Sequence, residues 1–320
     1  MTDGLAQIAN GDRRGQAKGL ADQVTDQVGQ IILGKVTEIK LAFACLIARG
    51  HLLIEDVPGV GKTLLARSLA IALGLDYRRI QFTSDMLPAD IIGVSVFEQN
   101  TAQFRFHKGP LFTELVLADE INRATPKAQS ALLEAMGEQQ VTVDGQTYAL
   151  PNPFFVIATQ NPTHQIGTFP LPESQLDRFL MRIRLGYPPE ALERILLSGD
   201  DRRDMLDDLT PVLASRDLLE LQAAAKHVHI SAAILDYTQA LIRFTRESPE
   251  LEVGLSPRGA VDLIAAARCW AMINGHAGVH PEDIKVVFGP VAGHRLQTRH
   301  DAHHTAPNIA AFVLDAVPVP

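Results

Sequence analysis

The sequence predicts an α/β protein: a parallel sheet layered between helices, followed by a smaller all-helical domain. Short apolar, strand-like runs recur at residues 52–54, 115–118 and 154–158, with helix-period segments between them. That alternation is what a parallel sheet with crossover helices requires. After Tyr187-Pro188-Pro189 the β-rich runs stop, and Ala/Leu-rich helical patterns take over at 218–225, 234–244 and 261–272. The proline pair reads as a linker, which divides the chain into 1–187 and 188–320.

Bulk properties agree with two domains. The chain has 320 residues and is 46% hydrophobic, enough to bury a sizeable core. A net charge of −8 argues against general attraction to a nucleic-acid backbone, so no nucleic-acid partner is expected. Cys45 and Cys269 are far apart and in no C-x-x-C arrangement, which suggests neither a disulfide framework nor a zinc site. The first twenty residues are polar and carry Arg13, Arg14 and Lys18 with no apolar stretch of signal-peptide length behind them. The apolar run 41–48 is too short to span a bilayer. A cytoplasmic protein with no direct membrane insertion is the expectation. His294, His300, His303 and His304 match no ligand spacing and read as a solvated loop.

In chain order, the first strand leads into Ile54-Glu55-Asp56-Val57-Pro58-Gly59-Val60-Gly61-Lys62-Thr63 and then into a helix-period stretch, Leu64, Leu65, Leu69, Leu73, closed by Gly74. A strand turning through glycines into a helix is the shape of a phosphate-binding loop. Gly59 and Gly61 let backbone N–H groups converge on a triphosphate, and the helix points its positive end at the same anion. Lys62 would neutralise the β- and γ-phosphates, and the Thr63 hydroxyl would hold Mg²⁺. Asp56 stands where the pattern G-x-x-x-x-G-K-[ST] asks for glycine.

A hairpin is expected within 85–107, as an interruption of a helix, from the alternating residues on either side of Gln99-Asn100. The next strand, Leu115-Val116-Leu117-Ala118, ends in Asp119-Glu120. One carboxylate there can hold the metal, assigned to Asp119, and the second can polarise an attacking water, assigned to Glu120. Over 140–148, Asp144-Gly145 between β-formers signals a second, tight hairpin. Both hairpins, taken alone, read as inert surface ribbons. The strand over 154–158 is followed by Asn161 at its C-terminal end, the edge where open α/β sheets bind ligands. Asn161 is therefore placed to bond a γ-phosphate or the attacking water, or else to cap the loop from Pro162 onward. Leu176-Asp177-Arg178-Phe179 puts a cation near the end of a short helix. In the helical part, Ser256 is an N-cap and Pro257 the first helical residue, so Arg258 lies in a first turn against the helix dipole. A cation there needs an anion nearby, either a triphosphate or an ordinary Asp or Glu.

These residues carry a family resemblance. The chain resembles AAA+ ATPases, and within them the MoxR family, through Glu55 to Thr63, Ala118-Asp119-Glu120-Ile121-Asn122-Arg123-Ala124, Gln129-Ser130-Ala131-Leu132-Leu133-Glu134-Ala135-Met136, Ala158-Thr159-Gln160-Asn161-Pro162, Leu171-Pro172-Glu173-Ser174-Gln175-Leu176-Asp177-Arg178-Phe179 and the tail Val317-Pro318-Val319-Pro320. The resemblance implies a P-loop NTPase αβα sandwich with a helical lid, ATP and Mg²⁺ as cofactors, and ATP hydrolysis. It implies a sensor role for Asn161, an arginine finger at Arg178 reaching a neighbour's site with Arg182 as runner-up, and a second sensor at Arg258. Binding contacts are implied from Asp56, Pro58, Gly59, Val60, Gly61, Lys62, Thr63 and Leu64, while Ile31, Ile32 and Gly34 resemble the segment that packs on the base. The two hairpins become a helix-2 insert and a pre-sensor insert facing a ring's pore or upper surface. A homo-oligomer, a hexameric ring, is implied, working as a chaperone-like maturation factor that inserts metal or activates a client complex with a von Willebrand factor A domain partner. The rivals are a nucleic-acid motor or loader of the same fold and a slow-turnover, nucleotide-gated scaffold.

Overall fold

The computed structural model describes residues 2–161, 167–199, 201–202, 204–299 and 309–319, with the backbone alone considered at 2–14. Two helices open the chain, α1 (Thr2–Ile31) and α2 (Val36–Ile47), before strand β1 (Leu52–Glu55), helix α3 (Lys62–Ala72) and strand β2 (Tyr77–Gln81). A short helix α4 (Pro88–Ile92) turns directly into the ribbon β3 (Gly93–Glu98) and β4 (Gln103–Lys108). Then come β5 (Leu115–Asp119), α5 (Pro126–Glu138), the ribbon β6 (Gln140–Val143) and β7 (Gln146–Ala149), β8 (Phe155–Gln160), α6 (Glu173–Leu176) and β9 (Met181–Ile183). The remainder holds α7 (Glu190–Ser198), α8 (Ser215–Ala225), α9 (Ala232–Glu247), β10 (Leu251–Val253), α10 (Pro257–Ile273), α11 (Pro281–Ala292), β11 (Gln297–Thr298) and α12 (Ile309–Ala316).

Five strands pair in parallel in the order β2-β5-β8-β1-β9. Side chains of a strand alternate between its faces, and here both faces are apolar. Leu52, Ile54, Leu115, Leu117, Phe155 and Ile157 enter one core with α1, α2 and α3. Leu53, Val116, Ala118, Val156 and Ala158 enter the other, with Leu132, Leu133 and Met136 of α5. That is why the strands read as continuous apolar runs. The first core does not stop at β9, because it also takes in Leu218 and Leu221 of α8, Leu263 and Ala266 of α10 and Ile284 and Val287 of α11. The helices after β9 are thus packed against the face that carries α1–α3.

The sequence-predicted hairpins are present as antiparallel ribbons. Val94 pairs with His107 and Phe97 with Phe104 in the first. In the second, Val143 pairs with Gln146 across Asp144-Gly145, both at positive φ as a tight hairpin turn requires. The first does not interrupt a longer helix: after β4 the chain reaches β5 through turns. The two ribbons touch, with the Phe106 and Tyr148 rings stacked at 4.3 Å. One expectation is corrected. The C-terminal part is not entirely helical, since β10 and β11 form an antiparallel ribbon joining Leu251 to Thr298. Strands of three and two residues are too short to show a period-2 pattern.

Candidate active site

β1 delivers the glycine loop to the carboxyl edge of the sheet, beside the ends of β5 and β8. Gly59 and Gly61 adopt φ of 88° and 95°, a region where side chains are strained and glycine is not. Gly61 is the N-cap of α3 and provides no side-chain cap, so the first-turn N–H groups stay available to an anion. A Cβ on Gly59 would meet nothing within 4 Å, so the cradle is open on that side. Ile32 closes the other side, its Cδ1 3.4 Å from where a Cβ on Gly61 would lie. Pro58 is exposed, while Val60 and Leu64 pack onto the core beneath. Gly34, at φ 71°, lies against Pro189 and Leu192 instead of the loop.

Asp56 resolves the broken pattern. Its carboxylate accepts from the N–H groups of Val57 at 2.8 Å, Leu185 at 2.7 Å and Gly186 at 2.6 Å. The side chain therefore turns away from the cradle and ties the loop's start to the segment following β9. Its backbone carbonyl, with that of Val57, accepts from Lys62 Nζ. Lys62 also donates to Asn161 Oδ1 at 3.0 Å. Burial pulls the Lys62 ammonium below its usual range, against the opposing pull of Asp56, Asp119 and Glu120.

Asn161 links this cation to the acidic pair, because its Nδ2 donates to Glu120 Oε1 at 3.3 Å. Its backbone carbonyl accepts from Asn122 Nδ2, fixing the residue just past β8. Glu120 sits in the left-handed region at φ 57° and ψ 47°, uncommon for a residue with a side chain. A hydroxyl holds it there: Thr159 Oγ1 accepts from the Glu120 N–H at 2.9 Å and donates to Asp119 Oδ1 at 2.5 Å. Asp119 Oδ2 faces Thr63 Oγ1 at 3.5 Å. A hydroxyl and a carboxylate from adjacent elements are hard oxygen donors of the type Mg²⁺ takes, so Thr63 and Asp119 fit that ion.

Sequence reasoning missed four residues of this cluster. Arg79 Nη2 lies 2.6 Å from Asp119 Oδ2, the same oxygen that faces Thr63. Gln81 Nε2 donates to Glu120 Oε2 at 3.0 Å, and Arg123 Nε approaches that oxygen equally closely. Thr159 is the fourth. A signal existed for Arg79 and Gln81, which alternate on β2 beside β5, with Gln81 in register with Asp119.

The three arginines stand apart from the cradle. Arg178 lies along α5, donating from Nη1 to the Leu133 carbonyl at 2.8 Å, and a Cβ at Gly137 would collide with it. Arg182 bonds Glu55 Oε2 and the Gly293 carbonyl within its own chain. Arg258 is exposed in the first turn of α10, where Ser256 Oγ caps the Gly259 N–H as expected. Among the described residues no hydrogen bond or ion pair engages it, and Asp262 one turn on is held by Arg295. Of the histidines read as a solvated loop, His294 is buried and bonds the Phe179 carbonyl through Nε2, which corrects that reading. His300, His303 and His304 lie outside the described residues, as do Pro162 and Pro320. No described helix is long and apolar enough to cross a membrane.

Comparison with known proteins agrees with this arrangement. Residues 51–181 match the family model "ATPase family associated with various cellular activities (AAA)", and residues 243–311 match an AAA lid domain. The protein YeaC of Bacillus subtilis is 42% identical over 94% of this chain and 95% of its own length. Chaperone MoxR1 of Mycobacterium tuberculosis is 39% identical over 90% of this chain and 80% of its own length. A solved structure from Cytophaga hutchinsonii, described there as a candidate ATPase, superposes with a TM-score of 0.86 at 35% identity, covering 99% of both chains. A buried parallel sheet, a glycine loop facing an Asp-Glu pair and a helical lid, in a chain so close to MoxR1, have one explanation: the chain belongs to the MoxR family of AAA+ ATPases.

Proposed function

We propose that the chain hydrolyses ATP as one subunit of a hexameric ring and uses the turnover to remodel or mature a protein client. The observation that carries the reading is the Asn161 amide. One side chain joins the phosphate-facing Lys62 to the Glu120 carboxylate, at 3.0 Å and 3.3 Å. A group there can report whether a γ-phosphate is present and hold the water that attacks it.

Lys62 and the uncapped N–H groups at the start of α3 bind the phosphates, with Pro58, Gly59, Val60, Gly61 and Leu64 shaping the cradle and Ile32 flanking it. Thr63 and Asp119 would hold Mg²⁺, which supplies neutralisation of charge on the phosphoryl oxygens. Arg79 shares the Asp119 oxygen and must yield part of it on loading. Glu120 orients the water and takes its proton, held in its unusual backbone conformation by Thr159. Arg178 is the finger for the neighbouring subunit, because it follows α6 and its side chain packs along α5 and not at its own cradle. Arg182, held by Glu55 and Gly293, is the weaker choice. Arg258 is exposed and makes no hydrogen bond or close ion pair among the described residues, although its charge acts on Asp262 one turn on, and is the second sensor for the nucleotide.

Residues 1–187 form the nucleotide-binding unit in this reading, and 188–320 the lid. The first ribbon presents Phe97 and Phe104, 50% and 74% exposed, as a cross-strand aromatic pair. An apolar tip suits a protein client better than a nucleic-acid backbone, and Arg105 beside it is already paired with Glu98. A cytoplasmic location rests on the polar N-terminal stretch and the unpaired cysteines, whereas a von Willebrand factor A domain partner and metal insertion rest on family membership alone.

The test is Glu120→Gln. Turnover should fall by about 10²–10⁴ while nucleotide affinity stays within a few-fold, the effect of losing a general base alone. Unchanged phosphate release would remove Glu120 from the reaction. Specific activity that does not rise with protein concentration would remove the shared finger.

A further inference from the structure

The stretch just after α11 takes no part in the cradle, yet it is densely bonded to the segment from α6 to β9. The Arg295 guanidinium is almost fully buried and makes six hydrogen bonds. Nε meets Asp177 Oδ1 at 2.7 Å and Nη2 meets Asp262 Oδ2 at 2.6 Å. The other four go to the carbonyls of Asp177, Phe179, Leu180 and Val291. His294 Nε2 adds a contact to the Phe179 carbonyl at 3.0 Å, and Arg182 returns a bond to the Gly293 carbonyl. Gln297 reaches Glu173.

Two features make this more than a fastener of lid to sheet. The acceptors at 177, 179 and 180 flank Arg178 on both sides, while the Arg178 guanidinium itself points elsewhere, to Leu133. The other leg, Asp262, is on α10 one turn beyond Arg258, so the two arginines proposed to read and complete the nucleotide site are joined through one side chain. A guanidinium is a rigid planar fork, so it holds its acceptors in fixed relation in a way a lysine cannot. A shift of α10 must therefore be followed by the backbone that carries Arg178, or the buried cation loses an acceptor.

We infer that Arg295 is a positioning residue that couples α10 to the finger segment, so that the nucleotide seen by Arg258 in one subunit sets where that subunit's Arg178 is offered to its neighbour. This rests on the shared-site reading above. The chain of contacts is Arg258 to α10, Asp262 to Arg295, and Arg295 to Asp177.

Spatial connection does not establish coupling, so the test is a double-mutant cycle. Asp262→Asn removes one charged leg and leaves Arg295 its remaining acceptors; Arg178→Ala removes the finger. Turnover and KM are measured for each single variant and for the pair, at a protein concentration where sizing shows the same assembly for all. Asp262→Asn should lower kcat about tenfold with KM within about twofold, and adding Arg178→Ala should then reduce kcat no further than Arg178→Ala alone. Asp177→Asn, the other charged leg, should give the same non-additive pattern. Losses that multiply for both legs, or variants that change only the thermal midpoint, would overturn the coupling while leaving the ATPase reading intact. Should Arg178→Ala alone leave turnover unchanged, the shared-site reading fails, and the coupling falls with it.

Discussion

Two clusters of charged side chains are built in opposite ways. At the end of β5, Asp119 is buried but its partner Arg79 is 48% exposed, and Glu120 is braced by exposed Gln81 and Arg123. Around Arg295 the cation is sealed at 3% exposure, and it is the carboxylates of Asp177 and Asp262 that keep some contact with water. An acid whose partners can swing into solvent is ready to exchange them for a metal ion or a water. A cation whose six acceptors are fixed can exchange nothing and serves to hold elements in register. The difference is that between a site proposed to react and a site proposed to position.

The contrast is sharpest in stability. Arg295→Met should be the most damaging of these changes, about 3–5 kcal/mol in a denaturant titration, because it removes a buried cation's two ion pairs and leaves the carbonyls of Asp177, Phe179, Leu180 and Val291 without their donor. Arg79→Met should lie at the other extreme, within about 1 kcal/mol, since its guanidinium is half in water. Equal losses would erase the distinction. Lys62→Ala falls between them and on a different axis. It should weaken nucleotide binding by about tenfold to hundredfold, roughly 1.4–2.7 kcal/mol, with little change in unfolding.

Acid adds a finer probe. Burial lowers His294, inside the sealed cluster, to about 3 and His51, bonded to the Met136 carbonyl and the Val156 N–H, to about 4, both from 6.5. Both are neutral in the folded chain and take up a proton on unfolding below 6.5. Their stabilisation is thus complete above that pH and is lost as the pH falls toward 4 and 3. The denaturation midpoint should drop between pH 7 and pH 5, and His294→Gln should flatten that drop. A midpoint that rises on acidification would contradict the burial argument.

The two clusters also differ in how far the sequence announced them. Lys62, Thr63, Asp119, Glu120 and Asn161 each lie at or beyond a strand end, and strand ends in a parallel sheet converge on one edge, so local pattern brought them together and the family resemblance supplied the role of Asn161. Arg79 and Gln81 were harder, because alternation along β2 shows which residues share a face and not which neighbouring strand they meet. Arg295 had no local signature at all. Its partners lie 33 and 118 residues away, and a basic residue after a helix ordinarily reads as solvated. The same reasoning sent His294 to a surface loop when the Phe179 carbonyl buries it. Local pattern finds residues whose position is set by one element, and fails for those whose position is set by several.

Asp56 breaks the glycine pattern, and its carboxylate takes the N–H groups of Leu185 and Gly186 at 2.7 Å and 2.6 Å. Those two residues lie just beyond β9 and begin the stem that leads into the helical part. The rim of the nucleotide cradle and the root of the lid are therefore riveted at one carboxylate. Any rotation of the helical part would then pivot at this carboxylate and not along the linker. Changing this position to glycine would keep the backbone carbonyl that Lys62 bonds and release Leu185 and Gly186, turning a lever with a fixed fulcrum into one with slack.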